Sequence, residues 1–321
     1  MLDVFLGLVH LVVFPGGAFA LAFGLLLKGL DRKLEARLQR RIGPPLMQPA
    51  FDVVKLCAKD VIIPASASRT AFLAAPVAAL AGILMCAALL PVPGMTEGLP
   101  HMGDMLVLFY LFPIPAMCVM LAGSASGSPY GSIGFSREML LMLAYEIPLL
   151  MIMLTVAMKV GSADGGGAEF SLSRIVAYQH EHGSFGFTLT MLPALLAWLA
   201  FLPGTNGMPP FDQAEAETEI LEGPLLEYSG APLALFHLTA AVKLTVTSGL
   251  GVALFFPGTL PGGEIVNLIW FMFKCVLFVA VPMTLVKAAT GRVRIEQAMT
   301  FFLKYPAALA LLSLVLVWCG W

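Results

Sequence analysis

The chain has 321 residues, of which 59% are hydrophobic and only 12% are charged, and its formal net charge at pH 7 is -2. Soluble domains carry about 25% charged residues, so this composition excludes an ordinary soluble protein and indicates a chain that lies in lipid. The near-neutral charge also excludes a globally basic surface that binds nucleic acid. The five cysteines lie far apart, without the close pairs typical of zinc or iron–sulfur ligation, so we expect no metal site.

Apolar runs that can cross a bilayer recur along the whole chain. A transmembrane helix needs about 20 apolar residues, and eight runs approach or exceed this length: 4–27, 70–91, 105–123, 139–159, 187–202, 231–256, 265–286 and 299–321. The sequence therefore predicts an all-α integral membrane protein of about eight transmembrane helices, in a single membrane domain over residues 1–321. Because Asp3 rather than a basic segment precedes the first run, we expect that run to be a retained span.

Three connections between the runs are long: 28–69, 160–186 and 203–230. The first holds nine of the 18 lysines and arginines, and the positive-inside rule places it in the cytoplasm. Alternation then puts 203–230 on the same side, and both termini on the outer side of the cytoplasmic membrane. We interpret His180, Glu181 and His182, in the second connection, as a solvated loop rather than a metal site.

The first long connection interleaves basic and acidic residues before Gly43-Pro44. Attraction to anionic lipid headgroups explains the basic residues but not the acids, so we also expect docking of a peripheral protein. From Ala50 to Ala58 apolar residues recur at helical spacing, which predicts a cytoplasmic amphipathic helix. The expected docking residues, with Arg37 and Arg40 as the main anchors, are Asp31, Arg32, Lys33, Glu35, Arg37, Arg40, Arg41 and Lys55.

The connection before the sixth run is strongly acidic, with six carboxylates in the sixteen positions from Asp212 to Glu227. Most acidic loops are merely solvated, but apolar residues interrupt this one and proline and glycine flank it, which favours an ordered surface. Crowded carboxylates raise one another's pKa and can pass protons near neutral pH. We therefore expect proton handling by Asp212, Glu215, Glu217, Glu219, Glu222, Glu227 and the adjoining Tyr228.

Ionisable side chains also occur inside the predicted spans, where they are costly and usually mark an ion pathway. They are Glu138, Glu146, Lys243 and Lys274. Thr239 and Thr247 continue a polar stripe around Lys243, and Pro148 interrupts backbone hydrogen bonding beside Glu146, which favours hydration. The alternative is an ion pair, with Glu146 as partner of Lys243, that only fixes helix packing.

Three stretches together resemble the complex I subunit 1 family, also called the H subunit. They are the charged first connection, Tyr145-Glu146-Ile147-Pro148, and Pro210 to Gly230 with its ending Glu227-Tyr228-Ser229-Gly230. The stretches occur in the family's order, and the resemblance covers nearly the whole chain. It implies a subunit at the joint between a peripheral redox arm and a membrane arm, whose acidic loops and buried glutamates feed protons.

The chain departs from quinone-reducing members of that family at two places. Met208 stands where those relatives have an arginine before Pro-Phe-Asp, and Ala240 aligns with a glutamate, with Lys243 one turn later. These departures resemble the homologous subunit of energy-converting [NiFe] hydrogenases of the Ech and formate hydrogenlyase type. That resemblance implies a non-redox subunit of an ion-translocating oxidoreductase, with no cofactor on this chain.

The same resemblance implies the partners. The [NiFe] centre and [4Fe-4S] clusters would lie on hydrogenase large and small subunits and an iron–sulfur protein, beside an antiporter-like membrane subunit. One alternative is the quinone-site subunit of NADH–quinone oxidoreductase, with quinone between the first connection and the spans. Another is a free-standing transporter, which no inverted repeat supports. The electron donor, and H⁺ or Na⁺ as coupling ion, stay open because other chains determine them.

Overall fold

The computed structural model describes residues 11–96, 104–163 and 167–320. Apart from two isolated β-bridges, the regular structure in these ranges is helical. The longer helices, in chain order, are α1 Gly17–Leu38, α2 Gln48–Cys57, α3 Arg69–Leu89, α4 Met105–Ala125, α5 Pro129–Ala163, α6 Leu172–His182, α7 Leu192–Thr205, α8 Gly230–Phe255, α9 Glu264–Ala289 and α10 Ile295–Trp318.

Six of these helices, α3, α4, α5, α8, α9 and α10, are long and apolar enough to cross a membrane. Helices α1 and α7 fall at the other two predicted runs: α1 carries charges in its second half, and α7 has only 14 residues. The predicted all-α membrane fold is confirmed, and α2 forms where apolar spacing predicted a helix in the first connection.

The first helix continues eleven residues beyond the predicted end of the first run, while residues 4–10 of that run lie outside the described ranges. The charged stretch up to Leu38 is therefore helical rather than a loop. Arg40 ends the helix in a left-handed conformation (φ 59°), so that the Arg41 amide donates to the Ala36 carbonyl at 2.6 Å. This is the Schellman arrangement, with arginine in place of the usual glycine.

The second long connection also differs from expectation, because Leu172–His182 form helix α6. Leu172, Ile175 and Val176 are buried on one face, whereas His180 and His182 are exposed in the last turn. The predicted solvated loop is thus the end of an amphipathic helix. Within the described ranges, no three His, Cys, Asp or Glu side chains are grouped as metal ligands.

Helix α8 lies at the centre of the molecule and contacts α1, α3 and α9. In its most apolar segment, 89% of the helix is buried inside the protein, whereas only 33% of the corresponding segment of α10 is buried. Gly24 of α1 permits the close approach, because a Cβ there would lie 2.3 Å from the Ala241 carbonyl oxygen. The helix with the polar stripe around Lys243 is therefore enclosed by protein rather than lipid.

Helix α9 is not a regular α-helix over its whole length. Ala280–Thr284 form one turn of π-helix, and the Thr284 hydroxyl donates to Asp31 of α1 at 2.7 Å. Asp31 also accepts from the Lys287 ammonium at 3.4 Å, and Lys287 reaches Glu35 at 2.7 Å. This network joins the charged second half of α1 to the end of α9.

Candidate functional site: a polar cavity below the acidic loop

A polar cavity of about 200 Å³ lies between α4, α5 and α8, below the acidic loop that precedes α8. We call it the inner cavity. Thr205 and Asn206 at the end of α7 and Thr239 of α8 contribute neutral polar groups. Its ionisable lining residues are Lys28, Glu138, Asp212, Glu215, His237 and Lys243. Two of the four intramembrane charges, Glu138 and Lys243, therefore meet two carboxylates of the acidic loop at one place.

Lys243 is buried, with 9% of its surface exposed, and its ammonium lies 5.9 Å from the centroid of the Phe112 ring. No ion pair to Lys243 is formed among the residues that the structure describes. The carboxylates that act on it electrostatically are those of Glu138, Glu215 and Glu146, in decreasing order. The expected pair with Glu146 is thus not made, and Glu138 is the main electrostatic partner.

Glu138 and Glu146 lie on the same helix, α5, but in different surroundings. Glu138 lines the inner cavity, whereas Glu146 does not. The Oε1 atom of Glu146, two residues before Pro148, is buried and has no hydrogen-bond partner in the described part of the chain. A buried oxygen of this kind requires a proton or a water molecule, so this position suits proton transfer.

Two arginines hold the acidic loop. Arg292, which follows α9, donates to both carboxylate oxygens of Asp212, at 2.9 and 2.5 Å, and to the Thr218 hydroxyl at 2.8 Å. Arg137 of α5 pairs with Glu219. The loop is therefore ordered, as its composition suggested, and two of its predicted proton carriers are engaged by cations instead.

Glu215 is exposed at the surface of the acidic loop and, like Asp212, lines the inner cavity. The protein around this carboxylate nevertheless removes part of its hydration. This desolvation, with the negative charge of Glu138, raises the pKa of Glu215 to about 7, against the opposing effect of Lys28. Glu215 can therefore gain or lose a proton near neutral pH.

The remaining predicted loop residues are placed differently. Glu222 is exposed and Glu227 is half-buried. Tyr228 is buried, its ring stacks on Phe72 with centroids 3.9 Å apart, and its hydroxyl donates to the Phe72 carbonyl at 3.0 Å. Burial raises the pKa of Tyr228, so this residue anchors the loop as a neutral phenol. The side chain of Glu217 lies outside what the structure describes.

A second cavity of about 250 Å³ lies between α1, α2 and α8, and we call it the loop cavity. Arg32 and Asp52, 3.1 Å apart, line it together with Lys55 and Lys59. Lys28 and His237 line both cavities and thus stand between them. Sequence reasoning missed this pair, although an intramembrane histidine and a lysine at the end of an apolar run were visible signals.

Only some of the expected docking residues lie at the surface. Asp31 is only 2% exposed and Glu35 pairs with Lys287, because this side of α1 packs toward α9. Asp31 is therefore not available to a partner, which corrects the sequence-based expectation. Arg32 pairs with Asp52 in the loop cavity and Lys33 is half-buried. The residues that remain at the surface are Arg37, Arg40, Arg41 and Lys55.

Lys274 is separated from the other intramembrane charges. Its ammonium donates to the carbonyl oxygens of Phe256 at 2.7 Å and Gly258 at 2.5 Å, at the end of α8 remote from the acidic loop. It lines neither the inner cavity nor the loop cavity. The structure therefore does not bring Lys274 together with the expected proton pathway.

We expect Arg292→Gln to loosen the acidic loop, because hydrogen bonds to charged groups contribute about 1.5–3 kcal/mol each. Limited proteolysis within 212–222 should become about tenfold faster or more, since about 1.4 kcal/mol changes an equilibrium tenfold. Arg294→Gln is the matched control, because the Arg294 side chain makes no hydrogen bond to the residues of this loop that the structure describes. Equal cleavage rates in the two variants would contradict the clamp.

Comparison with known proteins identifies the family of this chain. The chain matches the family described as NADH dehydrogenase over residues 10–318. It belongs to that family. The NADH-quinone oxidoreductase H subunit of Dehalococcoides mccartyi is 31% identical over 96% of this chain and 85% of the relative. Formate hydrogenlyase subunit 4 of Escherichia coli is 33% identical over 84% of this chain and 87% of the relative.

A solved structure agrees with the family assignment. A chain of the membrane-bound sulfane sulfur reductase, an archaeal respiratory membrane complex, superposes with a TM-score of 0.85 at 26% identity, over 99% of this chain and 100% of that one. The resemblance to the complex I subunit 1 family is therefore confirmed, and the chain is a membrane subunit of a complex I-like multisubunit oxidoreductase. Because the quinone-type and formate hydrogenlyase relatives are similarly identical, identity alone does not separate the two classes.

Proposed function

We propose that this chain anchors a peripheral redox arm and couples its electron transfer to ion translocation, in a complex of the energy-converting [NiFe] hydrogenase type. The observation that carries the proposal is the inner cavity, where Glu138, Glu215 and Lys243 lie together. Lys28 and His237 connect this cavity to the loop cavity below the exposed basic surface. Charge and proton affinity are therefore linked from the docking surface to the middle of the membrane.

In this proposal, electron transfer in the docked arm changes the electrostatic potential at the loop cavity. The potential changes first at Lys28 and His237. The charge of Lys28 acts electrostatically on Glu215 and lowers its pKa. A carboxyl whose pKa is about 7 changes its protonation in response to such a shift. The proton then passes to Glu138 and Glu146, and onward to an antiporter-like neighbour that moves H⁺ or Na⁺.

The redox centres belong to partner subunits in this proposal. A [NiFe] centre and [4Fe-4S] clusters would be held by hydrogenase large and small subunits and an iron–sulfur protein. Three of the five cysteines of this chain are buried and two are exposed at separate places. Its own residues bind the arm and move protons, from a position in the cytoplasmic membrane with both termini outside.

The second candidate is the quinone-site subunit of NADH–quinone oxidoreductase, which the similarity to the NADH-quinone oxidoreductase relatives favours. A cavity does lie where a quinone was expected, between the first connection and the spans. Lys28, Arg32 and Lys59 line it, however, whereas an isoprenoid tail needs apolar walls. Extraction of quinone from the purified complex separates the two: about one molecule per complex supports the quinone-site role, and none supports the hydrogenase type.

The coupling role is tested by Glu215→Gln, because an amide cannot bind a proton. Redox-driven proton uptake should slow about 10²-fold, the range for losing a positioned acid–base group, while electron transfer continues. In the unmodified complex, Glu215 can take up a proton only when it is ionised. Uptake should therefore rise as the pH increases through about 7, and this step should disappear in the variant.

Glu222→Gln provides the control for that experiment, since it removes an exposed carboxylate of the same loop that does not line the inner cavity. Its proton uptake above pH 7 should match that of the unmodified complex, and its pH step should remain but lie slightly lower, because the negative charge of Glu222 helps to raise the pKa of Glu215. An intact Glu215→Gln complex with normal uptake and the same pH profile would refute the coupling role.

A further inference from the structure

The surface of α7 and α9 carries two open apolar grooves that meet end to end. The first, of about 490 Å³, lies at the end of α8 remote from the acidic loop. The second, of about 930 Å³, lies beside α10. Leu199, Val281 and Pro282 line both, so they form one continuous feature, which we call the α7–α9 groove.

Helix α7, which lines both parts of the groove, is shorter than a membrane span. Fourteen residues of α-helix extend about 21 Å, whereas the hydrocarbon core is about 30 Å thick. The chain before α7 forms a 3₁₀ turn, and Phe187 and Leu189 beside it are 85% and 82% exposed. A short apolar span is accommodated by local thinning of the bilayer, which brings lipid headgroups closer to the membrane interior.

Lys274 places a positive charge in this apolar feature. Two of its three N–H donors go to the carbonyl oxygens of Phe256 and Gly258, which leaves one donor for the groove that it lines. The ammonium lies 5.3 Å from the ring centroid of Trp270, which lines the same groove. Tryptophan and lysine together are typical of the level where lipid headgroups meet acyl chains.

We propose that the α7–α9 groove binds an acyl chain of an anionic phospholipid and that Lys274 contacts the headgroup of that lipid. Each part of the groove has a volume within the range of ligand sites, about 300–1,000 Å³. The walls are mostly apolar, and Lys274 lines only the first part of the groove, which matches an amphiphile with a negative head. An apolar helix of a partner would leave the third lysine donor without an acceptor.

The test uses the purified complex in vesicles that contain a photoactivatable phosphatidylglycerol in a phosphatidylcholine background. We expect cross-links within residues 256–282, and competition by unlabelled phosphatidylglycerol but not by phosphatidylcholine. Lys274→Met should weaken this labelling about fivefold, since one lysine near a membrane contributes that factor toward anionic lipid. Lys274→Arg should restore it.

Two further variants test the groove itself, one as a control and one that leaves Lys274 unchanged. Lys304→Met removes a lysine that lines only the second part of the groove, so labelling of 256–282 should not change. Val281→Trp fills the groove where its two parts meet and leaves Lys274 intact, so it should reduce labelling even if Lys274→Met fails to assemble. Labelling that is equal for both lipids, unchanged in Val281→Trp, or replaced by cross-links between this segment and a partner subunit would overturn the proposal.

Discussion

Neutralising the inner cavity with Lys243→Met and Glu138→Gln, singly or together, is expected to abolish redox-driven ion translocation in all three variants. Both residues line the cavity, and Glu138 is the carboxylate that acts most strongly on Lys243. In a relay each group must change its charge during turnover, so restoring neutrality in the double variant does not restore the function. The expected loss is about 10²-fold or more in translocation rate, measured in proteoliposomes.

A pair that only fixes helix packing predicts a different pattern. Removing one partner strands a buried charge, whereas removing both is tolerated better. The ion pair of Asp31 with the half-buried Lys287 provides a control, because it lies outside the inner cavity. Asp31→Asn with Lys287→Met should retain translocation. Normal translocation in the double variant of Lys243 and Glu138 would show that this pair is structural.

Reversing the two exposed arginines at the end of α1, Arg37→Glu with Arg40→Glu, is expected to release the peripheral arm from the membrane. Like charges opposed at an interface cost several kcal/mol, and the two substitutions change the local charge by about four units. Arg40 already adopts a left-handed backbone, so glutamate there adds no new conformational demand on the helix end. The measurement is the amount of arm subunits that sediment with washed membranes.

Arg174→Glu serves as the comparison for the docking variant. It reverses an exposed arginine on α6, in a connection that the charge distribution assigns to the opposite side of the membrane. Membranes with Arg174→Glu should retain the arm fully. Full retention in the Arg37→Glu and Arg40→Glu variant would show that the arm docks elsewhere.

Much of the fold follows from local sequence, because a bilayer restricts a spanning chain to regular helices with apolar surfaces. The helix around Lys243 and the ordered acidic loop could both be predicted from their local sequence. The two ion pairs that hold the loop could not, because Arg137 and Arg292 lie 82 and 80 residues from their carboxylate partners. No local pattern specifies such distant contacts.

The intramembrane charges show the same limit. Sequence alone treats Lys243 and Lys274 alike, as lysines inside apolar runs. Only packing reveals that the first faces the inner cavity while the second faces an open apolar groove. Likewise, Asp31 looked like a docking residue because its partner, Thr284, lies 253 residues away on α9.

The π-helical turn in α9 sets the rotational phase of the two ends of that helix independently. Each residue advances an α-helix by about 100°, and a π turn holds one residue more than the α turn it replaces. The phase of the end with Lys274 is therefore offset from that of the end with Lys287. This offset allows one lysine to face the groove while the other reaches Asp31 and Glu35 of α1. Removing one residue from Ala280–Thr284 would rotate one end against the other, so the helix cannot shorten here without losing one of its two attachments.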